Sequence, residues 1–179
     1  DVQTGAWPSV NFGSIRLWDN DTAWANIETS KGVFNWTALD NAVATAESKG
    51  VTDILMVLAG TPAWATDQRN AAALPRPDAS GVPRDMNDWN DWVRAVATRY
   101  KGRITSYQPW NEANLSTFFT GTPRQMADMT KSTYDIVRSI DPKATIVAPS
   151  TGTRLGGPFK KFYPAYLAEL KKMNWPVDA

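Results

Sequence analysis

Cysteine and histidine are both absent from the 179-residue sequence. The lack of cysteine excludes disulfides, thiolate metal ligands and a cysteine nucleophile, and it leaves the cellular compartment open. The lack of histidine excludes imidazole metal ligands and every catalytic triad with a histidine base. Proton transfer must therefore use carboxylates, lysine or tyrosine, and we expect neither a metal ion nor an organic cofactor.

The chain also has little net charge and no long apolar run. Its 19 basic and 18 acidic side chains give a formal net charge of +1, which is too small to attract nucleic acid or an anionic membrane surface. No apolar stretch approaches the roughly 18 residues of a membrane-spanning helix, and the start lacks the pattern of a signal peptide. We therefore expect no nucleic-acid partner and no membrane partner.

Apolar, strand-like runs alternate with helical patterns along the chain. Each run is followed by polar or Pro/Gly-rich residues and then by a helix, at intervals of roughly 40 residues, which is typical of an α/β protein with a parallel sheet. An open doubly wound sheet would lead us to expect a glycine-rich phosphate turn after an early strand, and there is none. The predicted strands are residues 12–18, 53–59, 104–110 and 145–148.

Four helices are predicted after these strands, at residues 37–49, 87–101, 123–140 and 159–173. Thr37 and Asp40 give the first helix a start that resembles a capping box. Thr122 and Gln125 give the third helix the same arrangement, with proline at the first helical position.

Nine tryptophans are an unusually large number for this length. Tryptophan packs well in cores and also forms the flat surfaces on which sugar rings stack. Trp89 and Trp92 fall at helical spacing on the second predicted helix, so we expect them in the core. Trp64 lies in the long connection of residues 60–86, which follows the carboxyl end of a strand. We predict that Trp64 stacks on sugars, with anchoring of this loop as an equal alternative.

Glu112 is the strongest catalytic candidate among the four glutamates. It directly follows a predicted strand, with Trp110 and Asn111 before it and Asn114 after it. An apolar wall at this strand end would raise the pKa of a carboxyl group and keep a proton available for a leaving oxygen. The alternative for Glu112 is an ordinary surface carboxylate at a strand end. Solvated surface charges are the prediction for Glu28, Glu47 and Glu169.

Arg16 lies within the otherwise apolar first strand. A guanidinium in such surroundings costs free energy unless it meets a carboxylate, so the sequence predicts an acidic partner. Asp19, three residues later, is one candidate for this partner, and it is equally suited to cap the following turn.

These motifs, taken in order, resemble the retaining (β/α)8 glycoside hydrolases of clan A, with family 39 and related bacterial family 5-like proteins nearest. The most specific element is Trp110-Asn111-Glu112 at a strand end, and the resemblance covers nearly the whole chain. It implies an α/β TIM barrel, which needs about 250 residues when complete. We therefore expect residues 1–179 to be one partial catalytic domain, roughly half a barrel, with the second to fifth strands and the start of the sixth at residues 176–179.

The resemblance also implies roles for individual residues. Glu112 would be the general acid/base, Asn111 a donor to the sugar 2-hydroxyl, and Arg16 the group that holds the nucleophilic carboxylate. The nucleophile of the clan is a glutamate on the seventh strand, which this chain does not contain. Besides a carbohydrate substrate, we expect the rest of the barrel or another chain to cover the open sheet edges. Further substrate contacts are expected from Asp19, Trp64, Trp110 and Asn114.

The predicted activity is hydrolysis of O-glycosidic bonds in a poly- or oligosaccharide with retention of configuration. The alternatives are a non-catalytic carbohydrate-binding or structural barrel that has lost its nucleophile, and a transglycosylase with a sugar as acceptor. A polysaccharide substrate implies an extracellular or cell-surface protein. A glycan on the sequon at Asn114 would obstruct the site, so a bacterial or bacteriophage origin is expected; the other sequons are at Asn20 and Asn35.

Overall fold

The computed structural model describes residues 7–19 and 21–179. All four predicted strands and all four predicted helices are present, although the strands are shorter than predicted, and a short hairpin is added near the start. The strands are β1 Ser14–Leu17, β2 Glu28–Ser30, β3 Val33–Phe34, β4 Asp53–Val57, β5 Ser106–Gln108 and β6 Thr145–Ile146; the helices are α1 Trp24–Ile27, α2 Thr37–Ser48, α3 Met86–Arg99, α4 Pro123–Ile140 and α5 Gly156–Lys172.

β1, β4, β5 and β6 form one sheet in that spatial order, and every pair of neighbours is parallel. The residues predicted to begin a further strand run beside β6. The N–H of Asp178 donates to the carbonyl of Ile146 (2.8 Å), and the N–H of Ala148 donates to the carbonyl of Ala179 (2.7 Å). Because parallel strands end at the same edge, the segments that follow them meet there.

The two faces of this sheet differ in burial. Side chains alternate between the faces along each strand. One face packs under the helices, and its fully buried side chains are Leu17, Ile54, Met56, Tyr107 and Ile146. The opposite face carries Arg16, Leu55 and Ser106, which keep solvent exposure. Val57 and Gln108 on this second face are buried, so the described residues build a sheet with one covered face and one partly open face.

The helix starts follow the sequence signals in part. Thr122 and Gln125 form the predicted capping box of α4. The capping box predicted at Thr37 and Asp40 is wrong, because the side chain of Asn35 instead accepts the Thr37 N–H at 3.1 Å, which leaves the Asp40 carboxylate free to bond elsewhere. Within residues 7–19 and 21–179, the structure contains no helix with the length and apolar character needed to cross a bilayer.

A cluster of tryptophans fills the space between the hairpin and α3. Trp24, Trp89 and Trp92 have no exposed surface, which confirms the two core residues predicted on this helix. The rings of Trp24 and Trp92 are stacked at 6.1 Å, and those of Trp36 and Trp92 at 5.9 Å. Stacked and edge-on aromatic contacts add to the free energy gained by burial. This cluster fixes the hairpin and α2 against α3.

Glu28 belongs to this cluster, and its prediction as a solvated surface charge is wrong. The side chain of Glu28 is 3% exposed and accepts hydrogen bonds from Trp24 Nε1 (2.6 Å) and the Gly32 N–H (2.7 Å). Burial raises the pKa of this carboxyl group. The sequence could not reveal this role, because Glu28 meets its partners only through the hairpin. Glu47 and Glu169 are partly exposed and form ion pairs with Arg103 and Lys172.

Asp40 joins α2 to α3, and its replacement tests that contact. Its carboxylate accepts two hydrogen bonds from Arg99 (2.6 and 3.0 Å) and one from the Tyr100 hydroxyl (2.7 Å). Because the pair is partly exposed, we expect Asp40→Asn to lower the free energy of unfolding by about 1 kcal/mol or less near neutral pH.

The effect of this replacement should depend on pH. Arg99 lowers the pKa of Asp40 below its usual value of 3.8, so the stabilisation is present above that value and is lost as the pH falls through the lower, folded-state pKa. Urea denaturation near neutral pH and near pH ~3 measures this loss. Asp135→Asn, which removes an exposed contact to Lys131 on α4, is the control. A difference between wild type and Asp40→Asn that widens in acid would contradict the assignment.

Candidate active site

Glu112 lies in the bend that follows β5, four residues after Gln108, at the carboxyl edge of the sheet. Its backbone has a positive φ of 42°, which non-glycine residues adopt infrequently. The N–H of Glu112 donates to Ser150 Oγ (3.0 Å), and the N–H of Ala113 donates to the Ser150 carbonyl (3.1 Å). The segment after β6 therefore holds this turn in place, and the Glu112 side chain remains partly exposed.

Arg16 connects the end of β1 to the end of β5. Its Nε and Nη2 donate to Gln108 Oε1 (3.0 and 2.6 Å), and Nη2 also donates to Asn111 Oδ1 (2.9 Å). The carboxylate partner predicted for Arg16 is not found among the described residues, whose ion pairs do not include Arg16. Amide oxygens of Gln108 and Asn111 satisfy part of the guanidinium instead, because the Arg16 side chain extends past β4 to the end of β5.

Two nearby carboxylates act on the charge of Arg16. Burial lowers the pKa of the Arg16 guanidinium, and the negative charges of Asp19 and Glu112 oppose that change. Arg16 stays charged at neutral pH, because an arginine side chain loses its proton only far above that pH. Asp19 itself is exposed and has a positive φ of 60°. Arg16, Asp19 and Glu112 therefore share one electrostatic environment at the carboxyl edge of the sheet.

The amide of Asn111 is oriented by its neighbours. Its Oδ1 accepts hydrogen bonds from Arg16 (2.9 Å) and Ser150 Oγ (3.2 Å), and the residue is 7% exposed. Arginine can only donate, so the oxygen of Asn111 must face Arg16 and the amide nitrogen must face away. The amide nitrogen of Asn111 is thus the part of this side chain that can donate to a ligand.

Two of the predicted substrate contacts are corrected by their surroundings. Trp110 has no exposed surface, and its Nε1 donates to the Phe118 carbonyl (2.7 Å). Asn114 is 9% exposed and forms a reciprocal pair with Gly152, through Nδ2 to the carbonyl (2.9 Å) and through Oδ1 from the N–H (2.7 Å). Both side chains are bonded to protein and stabilise the loops of the site; Trp110 presents no surface to a sugar, and Asn114 presents only a small part of its own.

Trp64 makes the contacts of the anchoring alternative. Its Nε1 donates to the Glu28 carbonyl (2.9 Å), and its ring packs edge-on against Trp24 at 6.1 Å. The ring is half-buried and lines a cavity of about 250 Å³ together with Thr61 and Arg76. No described hydrogen bond or aromatic contact joins Trp64 to the group around Glu112, and its stacking on a sugar stays a prediction.

Three residues of the site were missed by sequence reasoning. Arg16 pairs with Leu55 on β4, and Leu55 pairs with Ser106 on β5. Gln108 lies two residues after Ser106 and so on the same face, which side-chain alternation along β5 could have shown. Ser150 and Gly152 carried no signal, because the turn after β6 reaches Glu112 only in the folded chain. A β-carbon added to Gly152 would lie 3.2 Å from Glu112 Oε1. The glycine therefore leaves room for this carboxyl group.

The chemistry open to this site is proton transfer and hydrogen bonding. Glu112 can give or take a proton, Asn111 donates two N–H groups, and Arg16 supplies positive charge. No cluster of three or more acidic side chains suited to a metal ion occurs in residues 7–19 and 21–179.

The sequence profile of Glycosyl hydrolase family 10 matches residues 9–178. The chain belongs to this family.

The family assignment agrees with relatives of known name. The family 10 domain is 26% identical over 142 residues to Endo-1,4-beta-xylanase 5 of Arabidopsis thaliana, which covers 78% of this chain and 23% of the relative. It resembles native xylanase 10B of Thermotoga maritima with a TM-score of 0.66 at 18% identity, over 94% of this chain and 51% of that one. The chain thus spans about a quarter of the curated relative and about half of this xylanase structure.

The fold also extends to family 39. A family 39 β-xylosidase from Caulobacter crescentus matches with a TM-score of 0.72 at 21% identity, over 93% of this chain and 38% of that one. The predicted α/β fold with a parallel sheet, shared with the TIM-barrel glycoside hydrolases of the clan, is confirmed. Within the clan the family is 10, whereas the motifs had pointed nearest to family 39.

Proposed function

We propose that the protein containing this family 10 domain hydrolyses β-linked xylan or xylo-oligosaccharides with retention of configuration, and that Glu112 is its general acid/base. The observation that carries the proposal is the partly exposed Glu112 carboxyl group at the carboxyl edge of a parallel sheet, beside the Arg16–Asn111 pair. Active sites of (β/α)8 enzymes lie at this edge. The choice of xylan rests on the names of the relatives.

The proposed reaction has two steps. In the first, Glu112 gives its proton to the leaving oxygen while a second carboxylate attacks the anomeric carbon. In the second, Glu112 takes a proton from water as that water attacks the glycosyl-enzyme intermediate. The N–H donors of Asn111 are directed at the sugar 2-hydroxyl, and Asp19, exposed beside Arg16, is a further substrate contact. Arg16 holds the second carboxylate, which we place outside the 179 residues.

The rest of the barrel would supply that second carboxylate. Retaining enzymes hold their two carboxyl groups about 5 to 5.5 Å apart. The described sheet offers an open face at Arg16, Leu55 and Ser106, and open edges at β1 and beside residues 178–179. We propose that further strands of the same protein close the sheet over this face. An unpaired sheet edge is otherwise a site of aggregation.

The proposed substrate indicates where the protein acts, and the contacts of Asn114 bear on its origin. A polymeric plant-wall substrate lies outside cells, so we propose an extracellular or cell-surface protein of bacterial or bacteriophage origin. Asn114 is buried and both polar atoms of its amide are bonded to Gly152, which is incompatible with a glycan on this sequon. The sequon at Asn20 lies outside the described residues.

The experiment that tests this function is hydrolysis of β-1,4-xylan by the full-length protein, followed by proton NMR of the first product. We expect the β anomer to form first and then to equilibrate with the α anomer, because two displacements restore the original configuration. An α-linked glucan is the control substrate and should remain intact. First appearance of the α anomer would contradict retention, and binding without any cleavage would favour a carbohydrate-binding protein.

Gly152→Ala should lower kcat without unfolding the protein. The added methyl carbon would lie 3.0 Å from Leu115 Cδ1 and 3.2 Å from Glu112 Oε1, which is closer than ordinary contact. A displacement of about 1 Å at a catalytic group can cost roughly 100-fold in rate, so we expect kcat on xylo-oligosaccharides to fall about 10-fold to 100-fold. Gly13→Ala, where nothing lies within 4 Å of the new carbon, is the control. Equal kcat values for the two variants would show that Gly152 does not position Glu112.

A further inference from the structure

Ser150, in the segment after β6, contacts four consecutive residues of the bend that follows β5. Its main-chain N–H donates to the Trp110 carbonyl (3.2 Å), and its carbonyl accepts the Ala113 N–H (3.1 Å). Its side-chain oxygen accepts the Glu112 N–H (3.0 Å) and lies 3.2 Å from Asn111 Oδ1. The bend that carries both Asn111 and Glu112 is therefore held from its two ends and from its middle by one residue.

The hydroxyl group of Ser150 both accepts and donates. The main-chain N–H of Glu112 can only donate, so it uses a lone pair of the Ser150 oxygen. Asn111 Oδ1 can only accept, because it is the carbonyl oxygen of an amide and already accepts from Arg16. The proton of the Ser150 hydroxyl is therefore donated to Asn111 Oδ1.

Two donors fix the plane of the Asn111 amide. Its oxygen has two lone pairs, and it accepts from Arg16 Nη2 at 2.9 Å and from Ser150 Oγ at 3.2 Å. With Arg16 as the single donor, the amide could turn about that one hydrogen bond and carry its nitrogen to another direction. A preorganised site needs side chains whose rotamers are fixed by such supporting contacts.

We infer that Ser150 is a positioning residue, which keeps the amide nitrogen of Asn111 directed at the 2-hydroxyl of the sugar that is transferred. The inference rests on the proposed function, in which Asn111 donates to that hydroxyl. Hydrogen bonds to the 2-hydroxyl strengthen in the transition state of glycoside hydrolysis, so an amide that turns away slows the reaction. Ser150 acts on the reaction only through Asn111.

The test compares a substrate that has the 2-hydroxyl with one that lacks it, using the full-length protein. The substrates are 4-nitrophenyl β-xylobioside and its analogue without the 2-hydroxyl on the sugar that bears the nitrophenyl group. The ratio of the two kcat/KM values measures the contribution of this hydroxyl, and the intrinsic reactivities of the substrates cancel when proteins are compared. We expect Ser150→Ala to lower this ratio about 10-fold, the value of one hydrogen bond.

Two further variants separate positioning from folding. Ser139→Ala on α4 also removes one serine hydrogen bond, from Oγ to the Ile136 carbonyl (2.7 Å), and should leave the ratio within about twofold of wild type. Ser150→Cys keeps a side chain of similar size with only a weak donor. It should lower the ratio in the same direction, even if Ser150→Ala folds poorly, because the main-chain bonds to Trp110 and Ala113 remain.

A ratio that stays at the wild-type value in Ser150→Ala and Ser150→Cys, with kcat/KM lowered equally for both substrates or for neither, would overturn the inference. The role of Glu112 would then be unaffected. A ratio lowered equally by Ser139→Ala would overturn it as well. Failure of the wild-type protein to cleave either substrate would overturn the proposed function together with the inference.

Discussion

Glu112→Gln is expected to lower kcat/KM on a xyloside with a poor leaving group by about 100-fold to 10,000-fold, the range of general acid catalysis. Glutamine keeps the size and hydrogen-bonding capacity of the side chain but has no proton to give to the leaving oxygen. A dinitrophenyl leaving group needs no such proton, so its kcat/KM should fall far less. Steady-state kinetics on both substrates with the full-length protein measures this difference.

The control for this experiment is Glu47→Gln. Glu47 accepts two hydrogen bonds from Arg103 on the helical side of the sheet (2.7 and 2.8 Å), remote in the fold from the carboxyl edge. Its replacement should leave both kcat/KM values within about twofold of wild type. If Glu112→Gln lowered the two substrates equally, Glu112 would act in binding or folding and not in proton transfer.

Trp92→Ala is expected to lower the free energy of unfolding by about 3 to 5 kcal/mol, the usual cost of removing a large buried aromatic side chain. Trp92 has no exposed surface, its ring stacks between Trp24 and Trp36, and its Nε1 donates to the Leu58 carbonyl (2.9 Å). The replacement would leave a cavity and an unsatisfied carbonyl at the end of β4. Urea denaturation followed by circular dichroism measures the loss.

Trp175→Ala serves as the matched control for Trp92→Ala. The side chain of Trp175 is 47% exposed, so the same loss of ring atoms removes far less buried surface. We expect its free energy of unfolding to stay within about 1 kcal/mol of wild type. A loss for Trp92→Ala no larger than that for Trp175→Ala would mean that the tryptophan cluster does not stabilise the fold.

The fold was predictable because local signals and tertiary packing agree for most elements. The apolar runs before each helix are buried strands, and Thr122 with Gln125 caps α4 as its sequence pattern predicts. The hairpin of β2 and β3 was missed, since its five residues have no alternation long enough to detect. The cap of α2 was wrong because Asp40 gains more from Arg99 and Tyr100 than from the helix start.

The sequence could predict a site residue only where the position of that residue along a strand determines where it lies in the folded chain. Arg16 lies on β1 and Glu112 follows β5, two parallel strands that flank β4, so strand order alone could place both at one edge of the sheet. Ser150 and Gly152 come from a turn more than 35 residues further along the chain, and nothing local marks them. Residue type also could not tell Trp64 from Trp110, because a tryptophan suits a core and a sugar surface equally.

The central claim is that Glu112 is the acid/base of a retaining hydrolase, and azide tests it most directly. Glu112→Ala in the full-length protein should cleave dinitrophenyl β-xylobioside slowly, because water attacks the glycosyl-enzyme intermediate without a base. Azide needs no base, so it should restore the rate and yield the β-xylobiosyl azide, identified by proton NMR. No acceleration by azide, or formation of the α azide, would contradict the account.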